Sequence, residues 1–340
     1  MALTTTVVGS YPQPAWLVDR ERFKGNVVPR IRLPEVWRVP AALLDEAQDD
    51  AVRVAVTDME RAGIDVISDG EQRRESYFNR FANALGGIDP ERPGSAIARL
   101  GRPTPVPRVV GPIERMQPVS LGEATFLRSL TSRRIKITVP GPFTLSSLAQ
   151  DEYYKDPERL AMAYAAAVNA ELRELEPVVD WLQLDEPYLQ AHPDRARAYG
   201  VAVFDRALAG LGKPTCVHLC FGYAFSHALA GTTKSGGYRF LGELEASRAT
   251  QVSIEAAQPR LDLAVLRELP SKTIVLGVLD LGDPMPETPG VVARRLEAAL
   301  AHVSAERLVA APDCGMKYLP RDVARAKLAA LAAGARLVTR

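Results

Sequence analysis

The chain has 340 residues, of which 47% are hydrophobic and 24% charged, with a formal net charge of +1. That is the composition of a globular protein able to bury a large core. The near-neutral balance and 6% aromatic content exclude a basic nucleic-acid footprint and the stacking platforms of single-strand binders.

The opening MALTTTVVGSYPQP lacks the basic start and long apolar run of a signal peptide, and no apolar run is long enough to span a bilayer. A cytoplasmic chain that binds neither membrane nor nucleic acid is therefore expected. Length alone would allow two domains, but α/β barrels run this long as one unit, and residues 1–340 are read as a single domain.

In chain order, a first strand is expected at Thr5–Gly9. AALLDEAQDDAVRVAVTDMERAG follows, apolar at helical spacing and closed by a glycine. A second strand is expected at Asp65–Ser68. Residues 87–120 are rich in Pro, Gly and Arg and read as an elaborated loop, with a small hairpin around RVVGPIERMQPVS. A third strand is expected at Ile135–Val139. DPERLAMAYAAAVNAELREL then opens with Asp156 and Pro157, a cap and first-turn pair. Strands at Trp181–Leu184, Thr215–Leu219, Gln251–Ile254 and Thr273–Val278 follow. A helix starts at Thr288 and Pro289, an eighth strand lies at Leu308–Ala311, and LPRDVARAKLAALAAGA closes the chain as a helix. Strands alternating with helices in this way suggest an α/β fold of the (β/α)8, or TIM barrel, type. Counting strands does not prove closure, so an open doubly wound sheet stays as the alternative.

Chemically capable residues cluster after these strands. Ser10 follows the first, Glu71 the second, Asp185 and Glu186 end the fourth, and His218 and Cys220 end the fifth. Glu255 ends the sixth, Asp280 follows the seventh, and Cys314 follows the eighth. In a barrel those positions share the rim that carries active sites. His218 and Cys220, two apart on a strand, point the same way. With Cys314 and Glu255 they form a donor set suited to zinc, and the thiolates weigh against magnesium or calcium. Taken alone, HLC reads more readily as buried packing than as a metal site, since free cysteine is among the most buried residues. Cys216 is read as core. Three cysteines in a chain of this size argue against a disulfide framework. His192, His227 and His302 have no comparable context.

These motifs resemble the C-terminal catalytic barrel of cobalamin-independent methionine synthase. The likeness runs through VVGSYPQP, DGEQRRESYF, PGPFTL, LQLDEPYL, VHLC, VSIEAAQ, GVLDLGDP and APDCGMK, in the family's order and over almost the whole chain. It implies zinc held by His218, Cys220, Glu255 and Cys314, and homocysteine as the thiol substrate. Glu71 and Asp185 match the carboxylates that hold its ammonium, Ser10 matches the group that meets its carboxylate, and Asp280 is retained at a catalytic position. A structural salt bridge to Arg73 or Arg74 is the alternative role for Glu71 and Asp185. The chemistry implied is methyl transfer to a zinc-activated thiol, with Glu255 yielding its place to the incoming sulfur.

Two features depart from the family. The segment after GPFT is LSSLAQDEYY, without the tryptophan that stacks on a folate pterin. Gly282 in DLGDP stands where the family has a histidine that assists the folate leaving group. The expectation is a donor other than methyl-tetrahydrofolate, with a methylated corrinoid or corrinoid protein first, because cobalt departs without needing a proton. The alternatives are an alkyltransferase acting on another thiol such as coenzyme M, and a non-catalytic zinc-binding module. Two carboxylates suit an ammonium better than a sulfonate. A carboxylate ligand is unusual for a purely structural zinc site.

Overall fold

A computed structural model describes residues 2–23, 28–99, 101–234 and 237–338. Thirteen strands occur among them in chain order. They are β1 (Thr4–Thr5), β2 (Val66–Ile67), β3 (Gly86–Ile88), β4 (Gly94–Ile97), β5 (Pro103–Val106), β6 (Arg108–Glu114) and β7 (Arg134–Pro140), followed by β8 (Gln150–Asp151), β9 (Trp181–Asp185), β10 (Thr215–Leu219), β11 (Gln251–Ile254), β12 (Thr273–Gly277) and β13 (Leu308–Ala311).

Eight of them form one parallel sheet in the order β1-β13-β12-β11-β10-β9-β7-β2. A parallel bridge from Thr6 to Val66 joins the two ends, reinforced by the Thr6 hydroxyl donating to the Val66 carbonyl at 2.9 Å. The sheet therefore curls into the expected (β/α)8 barrel, and the open-sheet alternative falls. Strand β7 is buried on both faces, with Ile135, Ile137 and Val139 on one and Lys136 and Thr138 on the other, as a parallel strand between helices and barrel interior requires.

Local signals place the helices. Asp156 accepts from Glu158 N and Arg159 N and starts helix Pro157–Leu175. Thr288 caps Pro289–Leu300 in the same way. Gly63, at φ +86°, ends Leu44–Ala62. The first strand is shorter than expected: residues 7–10 leave the ladder early and run buried into the top of the barrel.

The elaborated loop differs from its expectation. RVVGPIE is a strand, β6, but its partners are remote: β3 antiparallel and β8 parallel. The hairpin lies earlier, where β4 pairs with β5. Its turn rests on Gly101 at φ +76°, a left-handed conformation that glycine adopts without strain. The local sequence could not name strand partners this distant in the chain.

Candidate active site

β10 and β11 run in register, so His218 lies beside Ser253. The Ser253 hydroxyl meets His218 Nδ1 at 2.9 Å. That contact turns Nε2 outward, and this buried nitrogen has no partner. Within 4.8 Å of one another lie donor atoms of His218, Cys220 and Cys314, all buried. Three soft donors on two strand ends form a cluster able to take a zinc-like ion.

Their charges are coupled. The contact with Cys314 holds the Cys220 thiol well below its usual range, against burial and with help from His218. Cys314 is pushed up by the same contact and by burial. Burial opposes a charged His218, but Cys220, Asp185 and Glu255 together raise it. A metal bound to these donors would displace the protons they hold.

Glu255 sits beside this cluster without joining it. Its Oε2 accepts from Lys234 Nζ at 2.6 Å, and its Oε1 from Phe221 N at 2.9 Å. Burial raises its carboxyl to about 8 even though Lys234 opposes the shift. Lys234, itself buried, comes from a loop and carried no signal in the sequence.

A cavity of about 380 Å³ opens over the cluster, and Ser10, Glu71, Asp185, His218, Cys220 and Cys314 all line it. Glu71 holds a left-handed backbone, φ +54°, unusual for a residue with a side chain. Its Oε1 accepts from the Thr138 hydroxyl at 3.0 Å. Arg73 pairs instead with Asp49, and Arg74 with Glu123. Neither arginine salt-bridges Glu71 or Asp185, so the structural-salt-bridge alternative loses its partners.

Asp185 ends β9 and accepts from Gln183 Nε2 at 2.8 Å. Lys136, inside the barrel, donates to Gln183 Oε1 at 2.7 Å, which fixes which end of the amide faces Asp185. Burial pushes Asp185 up to about 7, and the nearby Glu71 adds to it against His218. Ser10 faces Tyr223 OH at 3.5 Å. Gly315 lies against both, and any side chain there would run into Ser10 Oγ.

The second carboxylate of DEP has a different task. Glu186 accepts from Phe143 N, Thr144 N and the Thr144 hydroxyl, fixing the start of helix Pro142–Ser147, and Gly141 leaves room for it. Asp280 is not among the cavity-lining residues. Its Oδ1 accepts from Gly282 N at 2.8 Å, and a side chain at Gly282 would crowd Gln258. Cys216 packs at the far end of the barrel with Val66, Trp181 and Val309, where burial pushes its thiol up to about 12.

The remaining wall comes from loops. Arg99, between β4 and β5, donates to Cys220 O at 2.8 Å and Pro187 O at 2.6 Å, tying the hairpin to the cluster strand. His227 lines the cavity too, with its nitrogens on Phe221 O and Thr232 Oγ1. Arg99, Tyr223 and His227 had no sequence motif to announce them. Among the described residues, no helix is long and apolar enough to cross a membrane.

A family model described as the catalytic domain of cobalamin-independent synthase matches residues 3–336. Similar proteins include a methionine synthase from Sulfurisphaera tokodaii, 31% identical over 99% of this chain and 92% of its own length. One from Pyrococcus abyssi is 30% identical over 99% and 93%. A solved B12-independent methionine synthase from Shewanella sp. W3-18-1, in complex with selenomethionine, superposes with a TM-score of 0.89 at 33% identity, covering 99% of this chain and 98% of that one. The family model is described as cobalamin-independent and the Shewanella structure as B12-independent, which lends no support to the corrinoid donor expected from the sequence.

Proposed function

The chain belongs to the cobalamin-independent synthase catalytic-domain family, and on that premise we propose that it is a zinc-dependent methyltransferase that methylates homocysteine on sulfur to give methionine. One observation carries the reading. His218, Cys220 and Cys314 converge on one wall of a cavity whose depth also holds Glu71 and Asp185. The unpartnered, buried Nε2 of His218 fits a metal, since buried polar atoms otherwise find a partner. His218, Cys220 and Cys314 would hold the ion, with Glu255, bonded to Lys234 and Phe221 N, as the fourth ligand if its carboxylate turns toward them.

Zinc bound there would lower the pKa of a thiol, whose usual value of about 8.5 leaves little thiolate at neutral pH. The chain's own residues do the rest. Glu71 and Asp185 receive the substrate ammonium, and the Ser10 hydroxyl donates to its carboxylate. Ser253 keeps the His218 ring turned toward the cluster. Gln183, set by Lys136, keeps the Asp185 carboxylate aimed at the cavity. Sulfur is thereby held at the cluster end while the methyl donor enters past the loop-built wall, an arrangement that lowers the entropic cost of a bimolecular step. The Shewanella relative's complex with selenomethionine, the selenium analogue of the product, supports an amino-acid pocket. Two carboxylates in the cavity disfavour a sulfonate such as coenzyme M. Three unpaired cysteines suit the reducing cytoplasm.

The test is to load the protein with zinc, titrate homocysteine while following proton release, and then measure methionine formed from methyl-tetrahydrofolate and from methylcobalamin in parallel. Proton release with methionine formation is expected. Absence of both would leave a zinc-binding module instead.

A further inference from the structure

A buried guanidinium ordinarily faces a carboxylate, because an unanswered charge in a low-dielectric interior is costly. Arg74 meets Glu123 at 2.7 Å in this way. Arg30 departs from the pattern. It is 7% exposed and lines the cavity. Among the described residues its guanidinium meets the Tyr77 hydroxyl at 3.1 Å and the rings of Tyr77 and Phe78, and no carboxylate. The neighbouring Arg32 reaches Glu75 at 3.0 Å; of the three arginines that line the cavity, Arg30, Arg99 and Arg102, Arg30 is the buried one.

Its position is built rather than incidental. Ser76 Oγ donates to Pro29 O at 2.6 Å, Asn79 Nδ2 to Ile31 O at 2.9 Å, and Asn83 Nδ2 to Arg30 O at 2.9 Å. Three side chains thus staple the backbone on both sides of Arg30, which keeps the guanidinium from swinging out to solvent.

We infer that Arg30 is a charged carboxylate-recognising residue of the cavity, additional to the Ser10 hydroxyl, completing a two-ended site whose other end is Glu71 and Asp185. A purely cationic ligand would leave Arg30 unanswered, and a purely anionic one would leave the two carboxylates unanswered. A molecule carrying both charges, or two ligands bound together, satisfies all three. The inference deepens the methyltransferase reading and rests on it only for whose carboxylate Arg30 meets: the α-carboxylate of homocysteine or a carboxylate of the methyl donor.

The first experiment does not depend on that reading. Unfolding temperature is measured in the metal-free protein with butyrate against equal chloride, for wild type, Arg30→Met and Arg30→Lys. Butyrate is expected to stabilise wild type and, less strongly, Arg30→Lys, and to leave Arg30→Met unmoved. Arg30→Met alone should unfold no lower than wild type, since it removes an unanswered charge. Equal butyrate responses in wild type and Arg30→Met, or a loss of stability in that variant without loss of response, would overturn the inference.

The second experiment assigns the source, using zinc-loaded protein, homocysteine and its decarboxylated analogue 3-aminopropane-1-thiol. If Arg30 meets the α-carboxylate, Arg30→Met weakens homocysteine binding about 10- to 100-fold, the range of a lost charged hydrogen bond, and spares the analogue. If it meets the donor, both thiols bind as in wild type and the donor KM rises. Wild type binding neither thiol would sink the methyltransferase reading while leaving the butyrate result to judge Arg30.

Discussion

The two walls of the cavity are made differently. One consists of strand ends. His218 and Asp185 are register partners on the adjacent parallel strands β10 and β9, and Cys220, Glu71 and Cys314 follow within a few residues of strand ends. The other consists of loops, namely the segment around Arg30, the β4–β5 hairpin and helix Ala224–Ala230, held by side chains bonded to carbonyls. A ladder fixes atoms to within tenths of an ångström, whereas loop segments have lower local stability and tolerate change. Under the proposed methyl transfer, the reacting sulfur would sit against the rigid wall and the donor would enter past the adaptable one.

The largest expected effect tests the rigid wall. Cys220→Ser and Cys314→Ser should each reduce bound zinc, measured by metal analysis, and methionine formation to background, since a hydroxyl does not replace a thiolate ligand. Cys216→Ser supplies the contrast. Its thiol lies at the far end of the barrel, so zinc content and turnover should hold while thermal stability changes modestly. Loss of zinc in Cys216→Ser with retention in Cys220→Ser would break the comparison at its root.

Asp185→Asn should come next, weakening homocysteine binding about 10- to 100-fold by calorimetry, because a charged partner of the ammonium is lost. It carries a stability signature of opposite sign. Burial pushes the Asp185 carboxyl up to about 7 from the ordinary 3.8. A carboxyl raised in this way contributes stability below its unfolded pKa, and that contribution is lost as pH rises through about 7. Metal-free Asp185→Asn should therefore be more stable than wild type at pH 8, by on the order of 1–3 kcal/mol, and gain nothing near pH 4. A variant less stable at pH 8 would show that the carboxylate has a partner other than substrate. Ser253→Ala should have a smaller effect, lowering zinc affinity about tenfold by freeing the His218 ring, with homocysteine affinity per zinc-loaded site unchanged.

How much of this was legible in the sequence follows the same division. Strands at Thr215–Leu219, Gln251–Ile254 and Leu308–Ala311 were readable to the residue, because each is a short run containing apolar or β-branched residues between helical patterns. Strand parity put His218 and Cys220 on one side, and the barrel rim put Cys314, Glu71 and Asp185 near them. Glu255 was placed on the right strand end, but its pairing with Lys234 depends on a loop path that no local pattern encodes. Asp280 was chosen for following a strand, yet the backbone there turns its carboxylate onto the Gly282 amide. Arg30, Arg99 and Tyr223 were invisible for one reason: each reaches the cavity from a segment whose conformation is set by distant side chains rather than by its own periodicity.

The smallest effect probes the adaptable wall. Arg99 spans two carbonyls, Cys220 O and Pro187 O, and its guanidinium lies 5.5 Å from the Tyr188 ring centroid. It thus fastens the hairpin to both the cluster strand and the turn after β9. Arg99→Gln keeps a donor but loses the fork and the charge. If the loop wall only admits the donor, this variant should raise the donor KM a few-fold, about 1 kcal/mol of lost hydrogen bonding, with zinc content, homocysteine affinity and kcat near wild type. The hairpin should also become more open to proteolysis, since its tether to the barrel is weakened. A drop in kcat with KM unchanged would mean that Arg99, through the Cys220 carbonyl, sets the geometry of the reacting sulfur itself. The boundary between the two walls would then run outside the hairpin rather than inside it.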